Sequence, residues 1–370
     1  MTETVIDGII SQFNIPGKIT SCKPYGSGHI NDTYRLINAE GNDYLLQRIN
    51  HYVFKDVPAL MKNLVLVTRH LKDKLSAIPG ANPDAETLTL VQCRDGSFYH
   101  EDAAGNYWRV FNFLSNTRSY DQVETTTQAC EGGKAFGRFQ YLLADIPPSS
   151  IIATIPRFHD IEYRLENLDK AIAADAAHKL SSIFPEIRFI NERRTAMSEI
   201  IRLGRAGVLP QRIIHNDTKF NNVLLDKNDK AQCVIDLDTI MPGYVAYDFG
   251  DAIRTIINAA PEDEPELSKI QLNIPLFKAY VKGYLQQAGV FLTATEVSSL
   301  INGALLLPYM QGVRFLTDYL DGDLYFKIHS PGHNLQRARA QFELVRKLEA
   351  AKDELQGIIM NTWESLSIKS

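Results

Sequence analysis

The sequence predicts an α+β protein with two lobes: an antiparallel β lobe that contains one helix, followed by a mostly helical lobe. Over the first hundred or so residues, short segments rich in β-branched and aromatic residues alternate with turns, which is typical of strands. From about Gln122 onward, apolar residues recur at three- and four-residue spacing, which is typical of helices. The 370 residues are enough for about two domains. We place the boundary at the polar segment 115–121, which divides the chain into 1–114 and 115–370.

The first lobe is predicted to follow the order β-β-β-α-β-β. Three strands joined by turns form a meander, and a helix follows because its apolar residues repeat every three or four positions. Two further strands complete the lobe. The predicted strands are 19–25, 32–37, 44–49, 88–92 and 107–113, and the predicted helix is 57–74.

The second lobe is predicted to be helical apart from one short hairpin. The hairpin comprises strands 223–225 and 233–237 around the turn 226–229, whose sequence DKND favours a tight reversal. The predicted helices are 127–144, 167–184, 191–206, 267–287, 295–320 and 335–366.

Composition and charge exclude several classes of partner. Lys and Arg total 39 and Asp and Glu total 44, so the net charge of −5 argues against binding to nucleic acid or an anionic membrane surface. Four cysteines without a C-x-x-C pair favour free thiols in a reducing compartment. No apolar run approaches the roughly 18 residues of a membrane span, and the N-terminus lacks the basic region of a signal peptide. We therefore expect a cytoplasmic protein without nucleic-acid or membrane partners, and we favour a monomer.

The densest polar segment is 215–222, HNDTKFNN. It has the spacing H-x-D-x-x-x-x-N, and the hairpin then leads to Asp236 in the string VIDLD. Phosphoryl transfer from a metal-bound nucleotide needs one carboxylate to accept the hydroxyl proton, and an amide and a second carboxylate for Mg²⁺. The pattern therefore predicts Asp217 as the base and Asn222 and Asp236 as metal ligands. Asp238 points to the same side of the strand and is either a second metal ligand or a residue that orients the ligands.

Taken singly, these acids have simpler interpretations. A loop Asp is most often a turn or capping residue, and the acids of VIDLD could lie in solvent at the end of a hairpin. Asp248 belongs to an Asp-Phe-Gly string typical of protein kinases, but it lies 26 residues after Asn222, whereas Asp236 lies 14 after it. We therefore expect Asp248 to be a buried residue that orients the 215–222 segment. Arg254 is expected on the helix that follows, where it either faces the pocket or pairs with an acid.

The first lobe is the expected place for the nucleotide. Gly26, Ser27 and Gly28 lie between two predicted strands, where glycines let backbone N–H groups approach phosphates, although such a string is also an ordinary hairpin turn. His29 at the loop tip either contacts phosphate or substrate or is an exposed turn residue.

The third strand lacks the lysine that would bind the α- and β-phosphates. Gln47 or Arg48 occupies its place, and the following helix has no obvious Glu partner. Phe111 and Phe113 lie in the segment expected to connect the lobes, whose backbone groups would bind the nucleobase. These four residues complete the predicted nucleotide contacts.

Through HNDTKFNN and VIDLDT the chain resembles the small-molecule kinases of the aminoglycoside phosphotransferase and choline kinase superfamily. Within it, the chain resembles the N-acetylhexosamine 1-kinase family more closely, through the strings PYGSGHINDTY, YLLQRIN, WRVF, FHD, HNDTKFNNVLLD, VIDLDTIMPG, DFGDAIR and RFLTDYLDGDLYF. The resemblance implies a bilobal, protein-kinase-like fold and ATP- and Mg²⁺-dependent phosphorylation of the anomeric hydroxyl of GlcNAc or GalNAc. It also implies that His29, Arg314 and Tyr325 lie near the sugar. Thr255 stands where these relatives have an aromatic residue.

Two other interpretations stay open at this point. The same fold could phosphorylate choline, ethanolamine, homoserine, an aminoglycoside or another hexose, although Arg314 in the pocket would argue against cationic acceptors, which need acids or aromatic faces. A nucleotide-binding pseudokinase is supported by the missing lysine but not by the intact Asp217, Asn222 and Asp236.

Overall fold

The first lobe is built on an antiparallel sheet. The computed structural model describes residues 3–26, 30–258 and 260–368. The elements of this lobe are α1 (Glu3–Ile10), β1 (Ile19–Pro24), β2 (Asp32–Asn38), β3 (Tyr44–Ile49), α2 (Val57–Ser76), α3 (Pro83–Glu86), β4 (His100–Glu101) and β5 (Tyr107–Asn112). The strands pair in the order β1-β2-β3-β5-β4, each antiparallel to its neighbour.

The predicted strand 88–92 is wrong. Leu90 forms a single bridge with Phe111, and the backbone N–H of Val91 donates to the carbonyl of Val110 at 2.9 Å. The segment therefore borders one end of β5 without forming a continuous ladder, and the two-residue strand β4 pairs with the other end.

The two faces of the sheet are covered differently, because side chains alternate along each strand. On the outer face, Leu46, Trp108 and Val110 form a small core with helix α1. On the inner face, Ile49 and Phe111 belong to the main core, which continues into the helical lobe. Inner-face residues of β3 and β5 therefore lie at the junction of the two lobes.

Helix α2 confirms the predicted helix 57–74. The carboxylate of Asp56 accepts the backbone N–H of Ala59 at 2.9 Å, and a proline follows in the first turn, so the helix begins with a cap. Leu60 and Leu64, one turn apart, are buried in the main core.

The second lobe consists mainly of helices. Its elements are α4 (Thr126–Leu142), α5 (Ile161–Ala174), α6 (Phe184–Asn191), α7 (Arg194–Met197), α8 (Glu199–Arg205), β6 (Arg212–Ile214), β7 (Val223–Leu225), β8 (Ala231–Val234), β9 (Met241–Gly243), α9 (Val245–Ile256), α10 (Ile274–Ala288), α11 (Ala294–Asp321), α12 (His333–Ala350) and α13 (Lys352–Ser367). Strand β6 pairs with β9, and β7 pairs with β8. Within the described ranges, none of these helices combines the length and apolar character needed to cross a bilayer.

Three predicted helices are divided in the structure. The predicted helix 167–184 ends early, because Asp175 adopts φ +39° at the end of α5. The predicted helix 335–366 is interrupted at Ala351, between α12 and α13. The predicted helix 191–206 becomes the short helices α7 and α8.

Helices α9 and α11 pack backbone to backbone. A Cβ atom on Gly303 would lie 1.8 Å from the carbonyl oxygen of Ala246, and one on Gly250 would lie 2.1 Å from the carbonyl oxygen of Gly303. Only glycine fits at these two positions, so the long helix α11 fixes the place of α9 and of the polar side chains that α9 carries.

Candidate active site

Asp248 holds the segment 215–222 in place from helix α9. Its carboxylate accepts the backbone N–H groups of His215 at 2.8 Å and Asn216 at 2.7 Å, and the side-chain amide of Gln140 at 2.8 Å. Burial raises the pKa of the Asp248 carboxyl, while these donors oppose the rise. The prediction that Asp248 orients the 215–222 segment is confirmed.

His215 ties the same segment to the end of the hairpin. Its Nε2 lies 2.8 Å from the carbonyl oxygen of Ile235, which can only accept, so Nε2 carries the proton. Nδ1 can then accept the backbone N–H of Asp217 at 3.2 Å. The hydroxyl of Thr239 donates to the carbonyl of His215 at 2.7 Å. The backbone on either side of Asp236 is thus fixed relative to Asp217.

The hairpin β7–β8 brings Asn222 and Asp236 together. Val223 is paired with Val234, and the backbone N–H of Ile235 donates to the carbonyl of Asn222 at 2.9 Å. Because Asn222 directly precedes β7 and Asp236 follows β8, antiparallel pairing places both at the same end of the hairpin. The predicted hairpin is confirmed, although its second strand ends at Val234.

Asp217 and Asn222 are in direct contact. Nδ2 of Asn222 donates to the carbonyl oxygen of Asp217 at 2.8 Å and lies 3.3 Å from its Oδ2. The amide nitrogen therefore fixes Asp217, while the amide oxygen accepts no hydrogen bond from the described residues. Nζ of Lys219 lies 3.2 Å from Oδ2 of Asp217. The sequence analysis did not predict a role for Lys219. Its position two residues after Asp217, in the same polar segment, could have indicated that it lies near that carboxylate.

Asp236 presents an exposed carboxylate that accepts no hydrogen bond within the described part of the chain. Its backbone is left-handed, with φ +59° and ψ 55°, which is uncommon for a residue other than glycine. The surrounding protein removes water from around the Asp236 carboxylate, and this desolvation, with the negative charges of Asp238 and Asp217, raises the pKa of Asp236 to about 6. A cation would relieve this repulsion, and the Asp236 carboxylate and the Asn222 amide oxygen are the kind of ligand that Mg²⁺ prefers. These two groups fit a Mg²⁺ ion that takes its other ligands from water and phosphates.

Asp238 has a different environment. Its carboxylate is 3% exposed and accepts Nη1 and Nη2 of Arg109 at 2.6 and 2.9 Å and Nδ2 of Asn31 at 2.7 Å. Both oxygens are occupied by donors from the first lobe. The structure therefore corrects the prediction of Asp238 as a metal ligand and agrees with the alternative, a residue that holds the Asp236 segment in position.

Arg109 occupies the inner face of the sheet, near the place of the missing lysine. It lies opposite Gln47 across β3 and β5, and Oε1 of Gln47 accepts its Nε at 3.0 Å and Nη2 at 2.8 Å. Arg48 points to the outer face, because neighbouring strand residues alternate, and it pairs there with Asp32. The structure thus corrects Arg48 as a nucleotide contact, since it does not line the crevice. The signal for Arg109 was a charged residue within the apolar string WRVF.

The remaining predicted nucleotide contacts have mixed outcomes. The side chain of Phe111 is buried under Arg109, whose guanidinium carbon lies 5.0 Å from the ring centroid, so only its backbone is available to a nucleobase. Phe113 packs edge-on against Tyr25, with ring centroids 5.4 Å apart. Gly26 adopts φ +80°, which favours glycine. Ser27, Gly28 and His29 lie outside the described residues.

Arg254 forms ion pairs beside Asp217. Its Nε and Nη2 lie 3.2 and 2.9 Å from Oδ1 of Asp251, and its Nη1 lies 2.7 Å from Oε1 of Glu262. Burial lowers the pKa of Arg254. The negative charges of Asp251, Glu262 and Asp217 raise it by more, so the net pKa is raised. Of the two predicted alternatives for Arg254, pairing with an acid is the one observed.

Arg314 and Tyr325 are neighbours close to Arg254. Nη1 of Arg314 donates to Oε1 of Gln311 at 2.9 Å, and no carboxylate in the described ranges forms an ion pair with it. Burial lowers the pKa of Arg314, with an opposing contribution from Tyr325. Arg314 therefore forms no ion pair of its own, although the charge of Glu262 also acts on it.

His159 is a further residue that supports the 215–222 segment. Its Nε2 lies 3.0 Å from the carbonyl oxygen of Asn216, to which it can only donate. Burial lowers the pKa of His159 to about 4, although Asp251 opposes the shift, so the imidazole is neutral at pH 7. In the sequence His159 belongs to the string FHD, which contributes to the family resemblance but does not reveal this supporting role.

We expect Asp248→Asn to destabilise the protein by about 3 kcal/mol, because buried backbone N–H groups would face an amide in place of a charged acceptor. The free energy of unfolding in urea measures the loss. Asp73→Asn, at an exposed position of α2, is the matched control and should change stability by less than about 0.5 kcal/mol. Equal stabilities of the two variants would contradict the anchoring role of Asp248.

The comparisons with known proteins agree with this architecture. The sequence model of the phosphotransferase enzyme family (APH) matches residues 21–287. An aminoglycoside phosphotransferase from Alicyclobacillus acidocaldarius has a similar structure, with a TM-score of 0.63 at 14% identity over 95% of this chain and 96% of that one.

Two further solved structures are similar. Choline kinase from Cryptosporidium parvum gives a TM-score of 0.60 at 18% identity and covers 98% of this chain and 99% of its own. Amicoumacin kinase, solved with AMP-PNP, Ca²⁺ and its ligand, gives a TM-score of 0.60 at 12% identity over 94% of each chain. At sequence identities this low, the similarity shows a common fold, in which a strand-rich first lobe packs on a helical second lobe.

Proposed function

Because the chain belongs to the phosphotransferase enzyme family and shares its fold with solved small-molecule kinases, we propose that it transfers the γ-phosphoryl group of ATP to the anomeric hydroxyl of an N-acetylhexosamine. The observation that supports this most strongly is the convergence of Asp217, Asn222 and Asp236 at one end of the β7–β8 hairpin. The family supports the reaction type, and the resemblance of the long strings to N-acetylhexosamine 1-kinases supports the acceptor.

The nucleotide lies in the crevice between the lobes formed by residues 1–114 and 115–370. The glycine-containing segment that follows β1 would approach its phosphates, together with the Mg²⁺ that Asn222 and Asp236 would hold. Arg109 cannot replace the missing lysine directly, because its donors are engaged by Asp238 and Gln47. Its contribution is to hold the lobes and the Asp236 segment together.

Mg²⁺, when bound, neutralises charge on the phosphates and orients them for in-line transfer. Asn222 and Asp236 would hold it, through an amide oxygen and a carboxylate that both lack hydrogen-bond partners among the described residues. Lys219 adds a positive charge at 3.2 Å from Asp217, next to the point of transfer.

Asp217 orients the C1 hydroxyl and takes its proton. The bond between the γ-phosphorus and the β,γ-bridging oxygen breaks, a bond from the same phosphorus to the sugar O1 forms, and ADP leaves. An anomeric hydroxyl is more acidic than an ordinary alcohol, so orientation contributes as much as proton transfer.

The acceptor side favours a neutral ligand over a cationic one. Arg254 lies beside Asp217, and Arg314 lies nearby without a carboxylate partner. The Arg314 guanidinium, which has no ion pair of its own, can donate hydrogen bonds to hydroxyl and acetamido oxygens, whereas the ammonium groups of choline or an aminoglycoside accept none from it. Tyr325 adds an exposed ring at the same place.

An acceptor screen tests the proposal. The enzyme is mixed with MgATP and, in turn, GlcNAc, GalNAc, glucose, galactose, choline and kanamycin, and ADP release is followed. We expect the highest kcat/KM with an N-acetylhexosamine and no release above background with choline or kanamycin. A cationic compound as the best acceptor would contradict the proposed substrate class.

A further inference from the structure

The peptide bond that joins Asn216 to Asp217 is held at both of its polar groups. Its carbonyl oxygen accepts a hydrogen bond from Nε2 of His159 at 3.0 Å, and its N–H donates to Nδ1 of His215 at 3.2 Å. The carbonyl and the N–H of a trans peptide point in opposite directions, so the two imidazoles contact this peptide at its two edges. A rotation of the peptide would break both hydrogen bonds at once.

Asn216 itself has an uncommon backbone conformation. Its φ is +66°, in the left-handed region that residues other than glycine seldom adopt. Its Nδ2 donates to the carbonyl of Thr239 at 3.0 Å, and its backbone N–H donates to Asp248 at 2.7 Å. Because Asn216 directly precedes Asp217, the direction in which the Asp217 side chain leaves the backbone depends on the contacts that hold this conformation.

His159 reaches this peptide from a separate part of the second lobe, the segment that leads into α5. Nη2 of Arg164, on α5, donates to the carbonyl of Phe158 at 2.7 Å, and Asp160 is the N-terminal cap of the same helix. The imidazole ring of His159 lies 5.5 Å from the ring of Tyr247 on α9, measured between centroids. The backbone on either side of His159 and the place of its ring are therefore fixed by α5 and α9.

We propose that His159 is a positioning residue for phosphoryl transfer, which fixes the Asn216–Asp217 peptide and so orients the Asp217 carboxylate toward the acceptor hydroxyl. The inference rests on the phosphoryl transfer in the proposed function, and it holds for any acceptor. A misplacement of a reacting group by about 1 Å can cost roughly 10²-fold in rate. The effect of His159 is therefore on kcat, and not on the binding of ATP or of the acceptor.

Two amide variants that differ in reach test this role. The side-chain nitrogen of glutamine can take the place of Nε2, whereas that of asparagine is one bond too short to reach the carbonyl of Asn216. We expect His159→Gln to keep kcat within about fivefold of wild type and His159→Asn to lower it about 10²-fold, with KM for ATP changed less than about twofold in both.

His70→Asn is the matched control. Nε2 of His70, on α2 in the first lobe, also lies 3.0 Å from a carbonyl oxygen, that of Leu142. This variant should leave kcat and both KM values unchanged. Calorimetric titration with MgADP should give the same dissociation constant for wild type and all variants, which separates a misplaced base from a disturbed nucleotide site.

Equal kcat values for His159→Gln and His159→Asn, whether high or low, would overturn the inference. So would a loss of MgADP affinity as large as the loss of kcat, because it would indicate a general structural defect. If His159→Asn does not fold, His159→Leu, which also lacks the donor, gives the same comparison. Wild-type enzyme that prefers another acceptor would overturn only the proposed substrate class, whereas wild type that phosphorylates no acceptor would overturn the proposed function and this inference with it.

Discussion

We expect Asp217→Asn to lower kcat by about 10³-fold or more, the loss that follows when a positioned general base is removed. The asparagine oxygen can still accept the amide hydrogen of Asn222, so the 215–222 segment keeps its shape. ATP binding should therefore change less than about twofold. Coupled ADP release measures kcat, and calorimetric titration with MgATP measures the dissociation constant.

Asp353→Asn, at an exposed position of α13, serves as the control and should retain full activity. Substantial turnover by Asp217→Asn, within tenfold of wild type, would remove Asp217 from its proposed role. Loss of both turnover and ATP binding would instead indicate that the substitution disturbs the nucleotide site.

Asp236→Asn should lower kcat/KM for MgATP by roughly 10³-fold and shift Mg²⁺ half-saturation to higher concentration, because an ionised metal ligand is lost. Although Asp236→Asn lowers activity, we expect it to raise the free energy of unfolding. The pKa of Asp236, about 6 in the folded protein, exceeds the ordinary Asp value of 3.8. Folded protein therefore binds the proton more tightly, and this contribution to stability is present below pH 4 and lost as pH rises through 6.

In metal-free buffer above pH 6, we thus expect Asp236→Asn to be more stable than wild type by about 1 kcal/mol, a figure reduced for the water in the crevice. The advantage should vanish below about pH 4. Urea unfolding at pH 4 and pH 7.5, with EDTA present, measures the difference. A variant that is inactive and also less stable at pH 7.5 would indicate a structural role for Asp236.

The residues of the β7–β8 hairpin could be predicted because their geometry is local. Asn222 precedes one strand and Asp236 follows the next, so a tight turn between the strands is sufficient to bring the two together. Asp248 could be predicted as an anchor because it lies 26 residues after Asn222. Asp236 lies only 14 residues after Asn222 and was therefore the better candidate for a metal ligand.

The contacts of Asp238 could not be predicted in the same way. Its partner Arg109 lies 129 residues earlier, and their pairing depends on how the sheet rests on the helical lobe. The prediction of Arg48 as a nucleotide contact failed for a different reason. Side chains alternate along β3, so only one of Gln47 and Arg48 can face the crevice. The break at Asp175 depends on one left-handed residue that helical periodicity does not reveal.

Residues 322–326, after α11, show the same limit. Tyr325 is predicted only through a resemblance, and the role of Asp318 is not predicted from the sequence. Its carboxylate binds three backbone N–H groups, a role that depends on the conformation of the chain and not on residue type.

The most direct test of the central claim is to identify the product by NMR. GlcNAc or GalNAc is incubated with the enzyme and MgATP, and coupling between phosphorus and the anomeric proton is measured. We predict one equivalent of sugar 1-phosphate for each ADP formed, and formation about 10³-fold slower with Asp217→Asn. Phosphate on any other hydroxyl, or ADP formed without a phosphorylated sugar, would contradict the account.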